Sequence, residues 1–352
     1  MIHDILALYM TFTLYLKGYC PTYEKGRDME NKKKMIFNVL FLVLIFAGTI
    51  YGVFHGKDLG QIADIMKTVN PWWLIPGVVC VVVFIWGESV IIHYMMSKLG
   101  VRIRRGTCFL FSSVGFFFSC ITPSASGGQP AQIYYMKKKK IPIPVSTQVL
   151  LIVTITYKLV LVLLGLGIAI FGQKFIHTYI DDVQWVFYLG LMLNVVCVAG
   201  MVLFAFHPSL AKAFVVKGSR LLEKMRFLRH KKSREEKLAA SMEKYNQTAD
   251  YMMGHFGMLV IVFLITLVQR FSLFAATWFV YKAFGLAGAS AGLIILMQGA
   301  IAVAVDMLPL PGGMGISEKL FMEMFLPIFG SKLLLPGMIL SRGLGYYTEL
   351  II

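Results

Sequence analysis

The sequence predicts an all-α polytopic membrane protein with about six full transmembrane helices and two re-entrant helical hairpins. Of its 352 residues, 58% are hydrophobic and only 15% are charged, and apolar runs recur along the chain. A soluble domain has about 45–50% apolar and about 25% charged residues. The composition therefore excludes a soluble globular enzyme.

The formal net charge of +16 is explained by basic loops on the cytosolic side of a membrane. Cytosolic loops of membrane proteins are enriched in Lys and Arg. We therefore expect membrane lipids as partners and no nucleic acid binding by this chain. The five cysteines form no C-x-x-C pair, and no nucleotide, metal or hydrolase motif is present. No cofactor, metal or catalytic residue is predicted.

The first apolar run is preceded by an N-terminal segment, 1–34, and begins an integral membrane domain, 35–352. The codons for residues 24–28 would be purine-rich, like a ribosome-binding site. We therefore expect that synthesis starts at Met29.

Six segments are apolar enough and long enough for full spans. They are 35–54, 72–96, 145–171, 184–206, 255–281 and 333–352. Basic residues before the first span place the N-terminus in the cytosol, and six crossings return the C-terminus there. Within the polar segment 207–250, the apolar residues of 210–228 share one helical face. This pattern fits an amphipathic helix on the inner leaflet or a solvated helical linker.

Two apolar segments, 106–136 and 289–328, are interrupted by Pro and Gly-Gly. The first has basic flanks on both sides, and its 31 residues are too few for two crossings, which need about 40. We expect a hairpin that enters from the cytosol, with a counterpart that enters from outside. This arrangement is typical of an inverted repeat with a binding site near the midplane. The alternative is two unrelated kinks in packed helices.

Charged residues inside the apolar segments are the strongest functional signal. They are Glu88, Lys158, Arg270, Asp306, Glu318 and Arg342. Each unpaired charge at the bilayer centre costs roughly 2.5–3.5 kcal/mol. The six must be paired with each other or line a polar cavity for a charged lipid headgroup. Arg342 and Arg270 would then pair with Glu318 and Asp306, or bind a phosphate with Lys158.

The interrupted segments supply the other candidate residues, because amide groups at the start of a half-helix attract anions. In the first segment they are Pro123, Gly127, Gly128 and Gln129. In the second they are Pro311, Gly312, Gly313 and Gly315.

The two motifs and the late membrane arginine resemble those of a known family. Thr122-Pro-Ser-Ala-Ser-Gly-Gly-Gln-Pro, Pro309-Leu-Pro-Gly-Gly-Met-Gly-Ile-Ser-Glu318 and Arg342 are similar to the lysylphosphatidylglycerol synthase transmembrane family. This family is the flippase-like membrane region of the multiple peptide resistance factor. The resemblance covers about residues 35–352.

The resemblance implies a bacterial inner-membrane protein that translocates aminoacylated phosphatidylglycerol, such as lysyl-phosphatidylglycerol, and contributes to resistance to cationic antimicrobial peptides. Full-length members also carry a soluble domain that transfers lysine from lysyl-tRNA to phosphatidylglycerol. The polar segment 207–250 is too short for that domain. The alternatives are a phosphatidylglycerol lysyltransferase or a membrane scaffold for a separate soluble synthase. The family also suggests a homodimer.

Overall fold

The computed structural model describes residues 59–122, 126–206, 232–308, 313 and 315–352. Every regular element in these ranges is helical. In chain order the helices are α1 (Leu59–Lys67), α2 (Leu74–Lys98), α3 (Arg105–Ile121), α4 (Gly128–Lys138), α5 (Ile143–Phe171), α6 (Gln173–Tyr179), α7 (Gln184–Phe206), α8 (Lys232–Gly254), α9 (Phe256–Ala283), α10 (Ala291–Val305), α11 (Ile316–Met324), α12 (Leu326–Arg342) and α13 (Thr348–Ile351). The all-helical prediction is confirmed for the described residues.

Four helices, α2, α5, α7 and α9, are long and apolar enough to cross a membrane. They coincide with the predicted spans 72–96, 145–171, 184–206 and 255–281. Large apolar side chains point outward from all four, as expected for surfaces that face lipid rather than water. The predicted span 35–54 and the proposed start at Met29 lie outside the described residues.

The ends of α5 and α10 follow ordinary capping rules. Helix α5 begins just after Pro142. Proline has no amide proton, but at the start of a helix that proton would have no partner within the helix. It ends at Gly172, whose amide donates to the Ile168 carbonyl. Helix α10 begins after Ser290, whose hydroxyl accepts from the Leu293 amide. Proline, glycine and serine therefore set the lengths of the helices.

The last predicted span, 333–352, is helical but not uniform. Helix α12 starts earlier, at Leu326, and is kinked at Gly330, which has a φ of 67°. A π-helical turn, Gly343–Tyr347, joins α12 to α13. Such turns are rare and occur mostly within α-helices at functional sites. This turn brings the final residues of the chain against α3 and α2.

The two interrupted segments form two pairs of short helices. Helices α3 and α4, with 17 and 11 residues, are packed together, as are α10 and α11, with 15 and 9 residues. A full crossing needs about 20 residues, so all four are shorter than a typical membrane-spanning helix. We call α3 and α4 the first pair and α10 and α11 the second pair.

The two pairs belong to different hydrophobic cores. The first pair packs with the end of α2, the start of α5 and the start of α9. The second pair packs with the opposite halves of α5 and α9. Since α5 and α9 run through both cores, the two pairs lie at opposite ends of the same bundle. The residues Lys137–Lys140, where α4 ends, are exposed, and we call this end of the bundle the basic end.

Helix α8 packs against the bundle through part of its length. Met242 and Tyr245 are buried, and the Tyr245 hydroxyl donates to the Phe204 carbonyl at 3.0 Å. The apolar face predicted for 210–228 lies outside the described residues. The described part of this polar segment is therefore a helix, α8, which packs against α5 and α7.

Candidate functional site

An ion pair joins the middle of α5 to the end of α10. Lys158 Nζ donates to Asp306 Oδ2 at 2.7 Å, and the Tyr157 hydroxyl donates to Oδ1 at 3.1 Å. The lysine side chain is only 3% exposed. A charge buried this deeply is tolerated only with a partner. The pairing alternative assigned Asp306 to Arg270, but the structure pairs it with Lys158.

A second ion pair joins α11 to the end of α12. Arg342 Nε donates to Glu318 Oε1 at 2.9 Å. The other oxygen, Oε2, accepts from the Gly315 amide at 2.6 Å and from the Ser317 hydroxyl at 3.0 Å. Glu318 therefore caps its own helix. The Gly315 amide, which we expected to be offered to a lipid anion, is bonded to this carboxylate.

Arg270 on α9 is held by aromatic rings, and no ion pair joins it to another residue that the structure describes. Its guanidinium carbon lies 4.1 Å from the centre of the Tyr157 ring and 4.9 Å from that of Phe84. Its Nε is buried and has no hydrogen-bond partner among the described residues. Cation–π contacts of this kind position a guanidinium over the ring faces, and here the Nε–H is left without an acceptor among the described residues. Arg270 is therefore the cation best placed to receive an anion.

Glu88 on α2 faces the first pair. Its Oε1 accepts a hydrogen bond of 2.6 Å from Gln132 Nε2. The glutamate is 8% exposed and Gln132 is 4% exposed. The charges of Arg270 and Glu349 both act on this carboxylate. Glu88 is therefore linked electrostatically to α9 and to the last helix of the chain.

The turn between α3 and α4 also contacts α5. Gln129 Nε2 donates to the Thr154 hydroxyl, one helical turn before Lys158. The Gly127 amide donates to the Thr122 hydroxyl at 2.9 Å, which closes the turn. Gly128 packs directly on α3, so a Cβ there would lie 2.6 Å from the Gly115 carbonyl oxygen. Pro123 lies outside the described residues.

In the turn between α10 and α11, the described glycines matter for their backbone angles rather than for close packing. Gly313 and Gly315 have φ values of 67° and 87°. Side chains rarely adopt such angles, whereas glycine does so at little cost. Pro311 and Gly312 lie outside the described residues. The two described glycines of this turn therefore adopt a backbone conformation that favours glycine.

Glu349 in α13 was not a predicted site residue. Its Oε2 accepts from the Cys120 thiol at 3.2 Å, and the Tyr346 hydroxyl donates to the Cys120 carbonyl at 3.0 Å. The charges of Arg270 and Arg342 act on it. The sequence did carry a signal, because Glu349 is an acidic residue inside the predicted span 333–352.

The structure brings seven charged side chains together in the interior that it describes. They are Glu88, Lys158, Arg270, Asp306, Glu318, Arg342 and Glu349. Two ion pairs account for four of them. Arg270 remains with two carboxylates, those of Glu88 and Glu349, and we call these three residues the central triad. The triad holds two carboxylates and one guanidinium, and the charge of Arg342 also acts on Glu349.

Comparison with known protein families identifies the chain. The model of the family described as the lysylphosphatidylglycerol synthase TM region matches residues 36–352. No curated individual protein matches the chain. The match covers the four membrane-crossing helices, both short-helix pairs and the seven charged residues named above. The chain therefore belongs to the lysylphosphatidylglycerol synthase transmembrane-region family and is a multi-pass membrane protein.

Proposed function

We propose that this protein binds an aminoacylated anionic phospholipid, such as lysyl-phosphatidylglycerol, and flips it across the bacterial inner membrane. The observation that carries the proposal is the half-buried Arg270, whose guanidinium lies over the Tyr157 ring and whose buried Nε has no hydrogen-bond partner among the described residues. A guanidinium in this state suits a lipid phosphate, because two N–H groups can bind two phosphate oxygens. The lipid would come from a separate synthase.

The charge of the central triad supports an aminoacylated headgroup. Phosphatidylglycerol carries one negative charge, whereas a lysyl ester adds two ammonium groups. The phosphate would bind Arg270, and an ammonium group would face Glu88 and Glu349. Such a headgroup supplies the positive charge that the triad lacks. A plain anionic headgroup would instead add to its negative charge.

The placement of the two short-helix pairs supports movement across the bilayer. We infer that they are re-entrant hairpins of an inverted repeat, within one membrane domain over residues 35–352. Their turns contact α5 one helical turn apart, at Thr154 and Lys158. A headgroup between them could be reached from either side in turn, as in transporters built on broken helices. The basic end would face the cytosol, with both termini on that side.

A lipid translocation assay tests the proposal. Protein is reconstituted into vesicles that contain fluorescent phosphatidylglycerol, with or without a lysyl ester, and a membrane-impermeant quencher reports lipid that changes leaflet. We expect the wild-type protein to accelerate exchange of the lysyl lipid by at least about tenfold over Arg270→Gln, a loss of one charged hydrogen-bonded contact. The matched control is Lys174→Gln, which removes an exposed cation outside the site. Equal rates for wild type and protein-free vesicles would exclude translocation.

A further inference from the structure

Tyr157 on α5 contacts both the candidate anion site and the second pair. The centre of its ring lies 4.1 Å from the guanidinium carbon of Arg270 on α9. Its hydroxyl donates to Asp306 Oδ1 at 3.1 Å. Asp306 is the residue at which α10 ends, directly before the turn that leads to α11. One side chain therefore links the candidate phosphate ligand, Arg270, to the second pair.

Tyr157 is not needed merely to neutralise Asp306. Lys158 Nζ pairs with the other carboxylate oxygen, Oδ2, at 2.7 Å. The phenol therefore adds a neutral donor to a carboxylate that already has a counter-charge. A phenylalanine would offer the ring without the donor, and a serine would offer a hydroxyl without the ring. Tyrosine provides both a ring face that attracts a cation and a donor for an anion, which is what a link between Arg270 and Asp306 requires.

The two contacts of Tyr157 depend on each other through the electrons of its ring. A cation over the ring is attracted by the negative face of the π-system. The same positive charge draws electron density from the phenol and makes its O–H a stronger donor to Asp306, because neighbouring polar contacts polarise one another. A phosphate bound to Arg270 neutralises this charge. The ring contact and the hydrogen bond to Asp306 then both weaken.

We propose that Tyr157 is a positioning residue that couples headgroup binding at Arg270 to loosening of the second turn. This inference rests on the proposed function. In the lipid-free protein the tyrosine holds Arg270 through its ring and the end of α10 through its hydroxyl. When the phosphate of a lipid binds, Asp306 keeps its ion pair with Lys158 but the tyrosine holds it less tightly. Since such coupling is reciprocal, a second turn that has left α5 binds the phosphate more tightly.

Hydrogen–deuterium exchange at the end of α10 tests the coupling. The amides of Asp306 and Leu308 donate to the carbonyls of Ala302 and Val305, so their exchange reports opening of this end. Purified protein in detergent is measured with and without short-chain lysyl-phosphatidylglycerol. We expect bound lipid to raise exchange in 302–308 by about two- to tenfold, the effect of weakening one hydrogen bond of ordinary strength. Exchange that is unchanged or slower with bound lipid contradicts the coupling.

Two substitutions of Tyr157 separate its contacts, and a third tyrosine variant is the control. Tyr157→Phe keeps the ring beneath Arg270 and removes the hydroxyl, so lipid should still bind but should no longer change exchange in 302–308. Tyr157→Leu also removes the ring, so lipid affinity should fall as Arg270 loses its position. Tyr245→Phe removes a hydroxyl that donates to the Phe204 carbonyl and should respond to lipid as the wild type does. A merely structural tyrosine predicts a wild-type lipid response in Tyr157→Phe, and that result overturns the proposal.

A cycle of variants without lipid separates this inference from the lipid proposal. Arg270→Gln removes the charge that a bound phosphate neutralises, so it should raise exchange in 302–308 about as much as Tyr157→Phe. Because both changes act through the same hydroxyl, the double variant should exchange no faster than either single variant. If the cycle gives this result and lysyl-phosphatidylglycerol does not bind, the lipid proposal fails and the coupling stands. Additive effects of the two substitutions overturn the coupling, even if the protein transports the lipid.

Discussion

The two short-helix pairs contact the same helix, one turn apart, by different chemistry. The first pair reaches Thr154 on α5 through the neutral side chain of Gln129. The second reaches Lys158 through the carboxylate of Asp306. A neutral hydrogen bond contributes about 0.5–1.5 kcal/mol, whereas breaking a buried ion pair costs about 3–5 kcal/mol. The first turn can therefore leave α5 more easily than the second.

The glycines of the two turns are also needed for different reasons. Gly128 allows the backbones of α3 and α4 to touch, and its own conformation is ordinary helix. Gly315 has open space around it but a φ of 87°. Gly128 is required because the neighbouring helix leaves no space for a side chain, whereas Gly315 is required because of its positive φ. Glycines in two similar motifs of a protein can thus serve different physical purposes.

The largest effect should come from removing the cation that holds the second pair. Lys158→Ala leaves Asp306 without its partner and should lower the free energy of unfolding in detergent by about 3–5 kcal/mol. Adding Asp306→Ala should recover part of this loss, since the unpaired charge is then gone. Lys174→Ala, at an exposed position, should change stability by less than about 0.5 kcal/mol. A Lys158→Ala protein as stable as this control would contradict the role of the ion pair.

The glycines should respond differently to the size of the substituted side chain. Gly128→Ala forces α4 away from α3 and should cost about 1–3 kcal/mol, and Gly128→Leu should cost clearly more. Gly315→Ala should also cost about 1–3 kcal/mol because of its backbone angle, but Gly315→Leu should cost little more, since no atom lies within 4 Å of an added Cβ. Thermal unfolding of the four variants gives the comparison. Equal size dependence at both positions would show that the distinction is wrong.

The smallest effect should come from the neutral contact of the first pair. Thr154→Val keeps the side-chain shape and removes the hydroxyl that accepts from Gln129. We expect a loss of about 0.5–1.5 kcal/mol in the free energy of unfolding. Thr248→Val, at a buried threonine whose hydroxyl donates to the Lys244 carbonyl of its own helix, is the matched control for the loss of a hydroxyl. A loss as large as that of Lys158→Ala would remove the contrast between the two turns.

The sequence predicted the four helices that are long and apolar enough to cross a membrane, but it could not predict which charges pair. Apolar runs such as 145–171 define their own ends because proline and glycine bound them. The choice between Lys158 and Arg270 as partner of Asp306 depends on how α5 and α9 are rotated about their axes. That rotation is set by packing throughout the bundle and not by the local sequence. Glu349 was missed because its role depends on the π-helical turn that precedes it.

The most direct test of the two proposed hairpins is the side of the membrane from which each turn can be reached. In a protein whose native cysteines are replaced, single cysteines at Ser126 and Ile316 mark the first and second turns, and Lys139→Cys and Gln173→Cys mark the two ends of the bundle. Proteoliposomes of one orientation are treated with a membrane-impermeant thiol reagent from outside or inside. We predict that Ser126→Cys is labelled from the same side as Lys139→Cys, and Ile316→Cys from the side of Gln173→Cys. Labelling of both turns from one side only would contradict hairpins that enter the membrane from opposite faces.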